Sequence, residues 1–162
     1  MGLILNASIK KLMKGYPTVS DKYDVSGGVL GGNEAVEVGS LMALTDADGV
    51  FAPVAANTPA AKVAGIALAP NVKLTDTWSG SKKTLIQPGE AVNLCFNGLF
   101  AVEVEAEVIA AIKPGSPVGL AEGKLVVFEE PEQGQEASSE RLEDWFFTGC
   151  VEGLLAEVDI RR

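Results

Sequence analysis

Residues 113–128 read KPGSPVGLAEGKLVVF, and the same order of glycine, spacer and apolar residues occurs twice earlier in the chain. The other two copies are EVGSLMALTDADGVFAP at 37–53 and QPGEAVNLCFNGLFAVEV at 87–104. In each copy one glycine precedes a short apolar segment, and a second glycine follows it, at Gly49, Gly98 or Gly123. Glycine adopts positive φ without steric cost, so the second glycine is expected to reverse the chain. The triplicate pattern therefore predicts three β-hairpins.

The chain from residue 29 onward has the pattern of strand and turn residues that is typical of an all-β protein. Short apolar segments alternate with Gly, Pro, Asn and Asp at intervals of about 8 to 12 residues, as in sandwiches and barrels. Strands are predicted near residues 34–38, 41–45, 49–53, 64–69, 83–86, 91–95, 99–105, 117–120, 124–129, 145–150 and 154–160. A length of 162 residues suits one domain. We therefore predict a small β-barrel built from short hairpins.

Residues 1–28 differ in composition from the remainder and are predicted to form an extended N-terminal arm. They contain an apolar start, a lysine cluster and an aperiodic stretch that ends in glycines. The alternative is a first strand of the barrel with a disordered tip. Residues 29–162 form the predicted barrel domain, in which the acidic, aperiodic segment 129–144 is a surface loop. A short helix from Ser138 or Ser139 through residue 144 is an alternative interpretation of the end of that loop.

The net charge of −9 is divided unevenly along the chain. Residues 1–23 hold four lysines and one aspartate, so they carry +3 and the remainder carries −12. An acidic body repels nucleic acid, whereas a basic arm is attracted to an acidic surface. The start of the chain lacks the residue order of a signal peptide, and no apolar run approaches the roughly eighteen residues that span a bilayer. We therefore expect neither nucleic acid nor a membrane as a partner.

The sequence offers no constellation for catalysis or metal binding. It contains no histidine, which is the most frequent general base and a common zinc ligand. Cys95 and Cys150 stand in apolar runs without a CxxC motif and are expected to be buried thiols, unless adjacent strands bring them together as a disulfide. TDADG at 45–49 lacks the closing acidic ligand of a calcium loop and predicts a hairpin turn. In AVEVEAEV at 101–108 the glutamates alternate with apolar residues, which predicts a strand with one solvated face. No enzymatic activity, cofactor or metal is expected.

Two groups of aromatic residues are candidates for interface anchors. Trp78 lies in the polar stretch TDTWSGSKK, and Trp145, Phe146 and Phe147 are consecutive. On a strand Phe146 points opposite to its two neighbours, so one side of the triplet can lie outside the core. Trp78, Trp145 and Phe147 are therefore predicted as interface aromatics, with ordinary core packing as the alternative.

Five motifs in sequence order resemble those of the structural cement and capsid decoration proteins of tailed bacteriophages. They run from about Val36 to Ile160 and read VEVGSLMAL, AKVAGIALAP, IQPGEAVNLCFNGLFAVEV, AIKPGSPVGLAEGKL and TGCVEGLLAEVDI. The family pattern has a glycine before an apolar strand, a central GIA-type strand, a PG(D/E)xV turn and strand, and a closing GxxxxV strand. This chain departs from the pattern in its longer acidic segment at 129–144 and in Glu90, where aspartate is frequent.

The resemblance implies a non-enzymatic β-barrel that forms a homotrimer on the outer surface of the virion, after synthesis in the host cytoplasm. It also implies that the protein clamps neighbouring major capsid proteins. We expect the arm to make this contact, with apolar anchors and lysines that pair with acidic capsid loops: Leu3, Ile4, Leu5, Ile9, Lys10, Lys11 and Lys14. The alternative function is a host-surface or glycan-binding module on the virion, formed by Trp78 and the 129–144 loop.

Overall fold

The computed structural model describes Lys14, residues 24–68 and residues 85–161, and the regular structure of these residues is almost entirely β. The strands are β1 (Asp24–Leu30), β2 (Val36–Glu37), β3 (Leu41–Leu44), β4 (Val50–Pro53), β5 (Val63–Leu68), β6 (Leu85–Ile86), β7 (Ala91–Glu103), β8 (Pro117–Ala121), β9 (Lys124–Val127), β10 (Glu140–Glu152) and β11 (Leu155–Ile160). A 3₁₀ helix (Ala60–Lys62) precedes β5, and a six-residue helix, α1 (Ala106–Ala111), follows β7. The prediction of an all-β chain is confirmed.

Nine strands form one sheet in the order β1-β4-β3-β5-β7-β11-β10-β8-β9, and β2 pairs with β6 separately. β1 also pairs with β7, so the pairings β1-β4-β3-β5-β7 return to their starting strand. We call these five strands the ring. In the ring, β1 and β4 pair in parallel, and the other neighbouring strands pair antiparallel. This closed cycle depends on residues 24–28, which belong to β1 although the sequence placed them in the arm.

The long strand β7 links the ring to the rest of the sheet. Its first half pairs with β1 and β5, and its second half, from Gly98 to Glu103, pairs with β11. Gly98 has a φ of 122° and lies where the partners change. The sequence predicted a hairpin reversal at Gly98, and this is wrong, because the chain continues in the same strand. The hairpins predicted at Gly49 and Gly123 are confirmed as β3–β4 and β8–β9.

Two apolar clusters form the core of the described part of the chain. Every strand of the ring contributes to the first cluster, which β2 and β6 extend: Leu30, Val36, Val38, Met42, Phe51, Ala64, Ala67, Ile86, Val92 and Leu94. The second and larger cluster is dominated by the other half of the sheet, with Phe100, Trp145 and Phe147 as its largest members. β5 and β7 contribute to both clusters, because successive side chains of a strand point to opposite faces. These two strands therefore connect the two clusters.

Two sequence predictions about secondary structure are corrected. The strand predicted at 99–105 ends at Glu103, and the alternation at 101–108 does not continue, because α1 begins at Ala106. β11 begins at Leu155 opposite Glu103, so later residues have no partner strand there. The helix considered near residues 138–144 is absent, since β10 begins at Glu140 and pairs with β8. Residues 128–139 contain no strand or helix. The surface loop predicted at 129–144 is therefore too long, because its residues 140–144 belong to β10.

Candidate functional site at the root of the arm

Lys14, in the middle of the predicted arm, lies against the second half of β7. It forms a parallel β-bridge with Ala101. Its ammonium Nζ donates hydrogen bonds to Glu103 Oε2 at 2.7 Å and to Glu37 Oε2 at 3.0 Å. We call these three side chains, Lys14, Glu37 and Glu103, the Lys14 clamp. The clamp joins the arm to two strands that are distant in sequence.

The two carboxylates of the clamp are oriented by the burial of their strand neighbours. In β2, Val36 is buried, so Glu37 points to the other side of the strand. In β7, Val102 is buried and Glu103 faces outward. The alternation in the sequence predicted this orientation of Glu103 correctly. No sequence pattern singles out Glu37, because only the tertiary structure brings it to Lys14.

The ammonium of Lys14 is sheltered, with 27 % of the side chain exposed. Burial by itself lowers the pKa of Lys14, but the hydrogen bonds and charges of Glu103 and Glu37 outweigh it, so this pKa is raised above the ordinary lysine range. Lys14 therefore stays charged at neutral pH. Partly buried ion pairs are screened by salt much less than exposed ones, so the clamp is expected to persist at physiological ionic strength.

A groove of ≈ 450 Å³ runs beside the clamp. Its lining is mostly apolar and includes Leu41, Val54, Val104, Leu125 and Leu154. A second ion pair, Lys124 with Glu105, also lines the groove, and both of its side chains are largely exposed. The two lysines of the groove, Lys14 and Lys124, thus contact glutamates that are two positions apart in the chain.

The structure changes the role that the sequence suggested for Lys14. We expected its ammonium to pair with acidic capsid loops, but two carboxylates of its own body satisfy it. The other predicted residues of the arm lie outside the described residues: Leu3, Ile4, Leu5, Ile9, Lys10 and Lys11. Within this chain, the ammonium of Lys14 is thus paired with carboxylates of the body.

The aromatic residues are distributed differently from the prediction. Trp145 and Phe147 are 1 % and 0 % exposed and belong to the large apolar cluster, which corrects their assignment as interface residues. Phe146 points to the other face, as the alternation predicted, and the guanidinium of Arg161 lies 4.9 Å from its ring centroid. Trp78 lies outside the described residues.

The remaining reactive groups of the described residues do not converge on a site. No group of three or more His, Cys, Asp or Glu residues in the described ranges is arranged to hold a metal ion. Cys95 and Cys150 are free thiols, the first buried and the second exposed, so the expectation of burial is wrong for Cys150. None of the described helices has the length and apolar character needed to cross a bilayer.

Comparison with known proteins gives a family match over most of the chain and a structural likeness over all of it. The family described as "Structural cement protein (E217 gp24/Pam3 gp6)" matches residues 6–161. A chain in the solved structure titled "The capsid of Myoviridae Phage XM1" has a similar fold, with a TM-score of 0.63 at 15 % identity over 100 % of this chain and 98 % of that chain. No curated protein sequence matches. At this identity the structural likeness concerns the fold alone.

Proposed function

Because this chain belongs to the phage structural cement protein family, we propose that it binds the outside of a phage head and clamps neighbouring major capsid proteins together. The observation that carries the proposal is the family match, which extends over residues 6–161 and so includes most of the arm as well as the body. A non-enzymatic role is consistent with a sequence that has no histidine.

In this proposal the body is a rigid support. The closed cycle β1-β4-β3-β5-β7 acts as a small barrel, and β7 joins it to the strands β8 to β11. Such a body is expected to deform little under load, because close-packed protein interiors have low compressibility. A shell filled with DNA fails where its subunits part, so a support that bridges them adds contacts that rupture must break.

The protein acts as a homotrimer in this proposal, and its arms supply the contacts with the major capsid protein. Leu3, Ile4, Leu5 and Ile9 are the apolar anchors, while Lys10 and Lys11 pair with acidic loops of the shell. An extended segment of this kind can add a strand to an exposed sheet edge. Three linked contacts bind more tightly than one by on the order of 10² to 10⁴.

A binding experiment with phage heads tests the proposal. Expanded heads assembled without this protein are mixed with the purified chain and sedimented, and bound protein is quantified. We expect saturable binding, and we expect a Δ2–13 variant, which keeps Lys14, to lose binding while its melting temperature is unchanged. Failure of the intact chain to bind would contradict the proposal, and full binding by Δ2–13 would contradict the role of the arm.

The same experiment separates the alternative function. A variant in which residues 130–137 are replaced by a Gly-Ser linker should bind heads as the parent does, because these residues are exposed and belong to no strand or helix. Within this segment the backbone N–H of Gln135 donates to the carbonyl of Glu132, which is a local hydrogen bond. Binding to host cells that is lost with this replacement, together with no binding to heads, would favour the host-surface module.

A further inference from the structure

We infer that Lys14 is a positioning residue, and that its clamp to Glu37 and Glu103 fixes the direction in which the arm leaves the body and thereby its reach to the shell. The inference rests on the proposed function, because it concerns how the arm is presented to the major capsid protein. It goes beyond that function because it assigns the Lys14 clamp, which consists of Lys14, Glu37 and Glu103, to the geometry of the contact.

The direction of the arm follows from the bridge between Lys14 and Ala101. On one edge of β7 Ala101 pairs with Glu157 of β11, so the bridge with Lys14 uses the other edge. This bridge is parallel, so the backbone at Lys14 runs in the same direction as β7. We predict that an arm which keeps this direction points toward the Gly98 end of β7. A single bridge is weak by itself, so side-chain contacts have to hold this register.

The clamp supplies those contacts. Glu103 lies two positions beyond Ala101 in β7, while Glu37 approaches from the separate β2–β6 pair. One ammonium is thus held by two strands, which fixes its position more strictly than one exposed pair can. Without Lys14, two carboxylates that approach a common point would repel each other. The site is therefore specific for a cation at this position.

The position of Lys14 also limits where the apolar anchors can bind. Leu3 to Leu5 precede Lys14 by nine to eleven residues, so they lie within about 30–40 Å of it even when the arm is fully extended. A domain of this size has a radius of gyration of about 14 Å. A fully extended arm could therefore reach beyond the footprint of the body, and a fixed starting direction would restrict the surface that it can search.

A set of variants tests the inference on head binding. We expect Lys14→Ala combined with Glu103→Gln to bind heads on the order of ten-fold more weakly, because the arm loses its preorganised direction. The added Glu103→Gln removes the repulsion between the two carboxylates, so the melting temperature should change little. Lys14→Arg keeps the cation and should restore most of the affinity.

The second ion pair of the groove provides a matched control. Lys124→Ala combined with Glu105→Gln also removes one positive and one negative charge from the groove, but it does not change the residues of the Lys14 clamp. We expect this control to bind heads like the parent. Equal affinity of the Lys14 and Lys124 variants for heads would overturn the positioning role. The proposed function would still stand in that case, provided that the intact chain binds heads.

Limited digestion with trypsin tests the clamp without heads, so that its outcome is independent of the proposed function. All variants carry Lys22→Gln to remove one further cleavage site. We expect cleavage after Lys10 and Lys11 but slow cleavage after Lys14 in the parent. In Glu37→Gln combined with Glu103→Gln, we expect rapid cleavage after Lys14, seen by mass spectrometry. Rapid cleavage after Lys14 in the parent would overturn the clamp itself.

Discussion

Lys14 and Lys62 show how differently two lysines of this chain are bound. Lys62 contacts Asp46, whose side chain is 98 % exposed, and such surface pairs contribute little to stability. Lys14 contacts two carboxylates and is half-buried. In the sequence, the lysines of residues 1–23 form one basic cluster, and only the folded body distinguishes this one.

The two cysteines should differ strongly in reactivity. Cys95 is buried, and its thiol donates to the backbone oxygens of Asn97 at 3.1 Å and Asp24 at 3.3 Å. Burial raises the pKa of Cys95 to about 12, so almost no thiolate forms at pH 8. We expect a thiol reagent such as DTNB to label one cysteine, Cys150, in the folded protein and two after unfolding in guanidinium.

A Cys150→Ser variant is the control for this labelling, and it should show no reaction until it unfolds. Labelling of Cys95 in the folded variant at a rate near that of Cys150 in the parent would contradict the prediction. The sequence alone could not separate these thiols, because both stand in apolar runs.

Among the elements, β7 shows where local patterns stop being informative. Gly98 has the same place in the repeated sequence pattern as Gly49 and Gly123, yet it lies inside a strand and not in a turn. The reason is that β11 is available to pair with the residues after Gly98, so continuing the strand satisfies their backbone groups. A partner that lies 50 or more positions later in the chain decided this outcome.

The start of β10 gives a second example at the level of elements. Ser139 and Glu140 look like the first residues of a helix, but Glu140 pairs with Leu120 of β8. Leu142 is then 2 % exposed and packs in the large apolar cluster. Burial of this side chain and pairing with β8 outweigh a local preference for a helix start.

The close approach of β5 to β7 predicts a site where even a methyl group is not tolerated. A Cβ atom at Gly65 would overlap the backbone carbonyl of Cys95, which cannot move without disturbing the pairing of Ile66 with Cys95. We expect Gly65→Ala to lower the free energy of unfolding by about 1–3 kcal/mol. Urea unfolding monitored by tryptophan fluorescence measures this change.

Gly27→Ala is the matched control for this prediction. Gly27 also lies in a ring strand, β1, but its added Cβ would have its nearest neighbour, Asn93 Oδ1, at an ordinary 3.6 Å. We expect an effect below about 1 kcal/mol in either direction. Equal destabilisation by the two substitutions would show that the approach of β5 to β7 is not the cause.

At the scale of the whole molecule, one chain combines a closed cycle of strands with a net charge of −9. A high negative charge keeps copies apart in solution unless specific contacts hold them together. The proposed trimer therefore requires a defined interface that outweighs this repulsion. Its contribution to head binding is through avidity, which depends on all three arms being present.

Mixed trimers test the contribution of avidity. We expect light scattering after size exclusion to give three times the mass of one chain, for the parent and for Δ2–13 alike. Trimers refolded from mixtures of the two chains should lose affinity for heads steeply with each missing arm. A monomeric mass, or affinity that falls only in proportion to the number of arms, would contradict this account.

Local sequence patterns predict the strand-rich class, most strand positions, two of the three hairpins and the outward orientation of Glu103. These features depend on side-chain alternation and on glycine φ, which are properties of neighbouring residues. Tertiary contacts are responsible for the closure of the ring by β1, for the continuation of β7 through Gly98, and for the burial of Trp145 and Phe147. They are also responsible for the clamp, because Lys14 meets Glu37 and Glu103 across separations of 23 and 89 residues. Contacts over such separations depend on the path of the whole chain, which no local pattern contains.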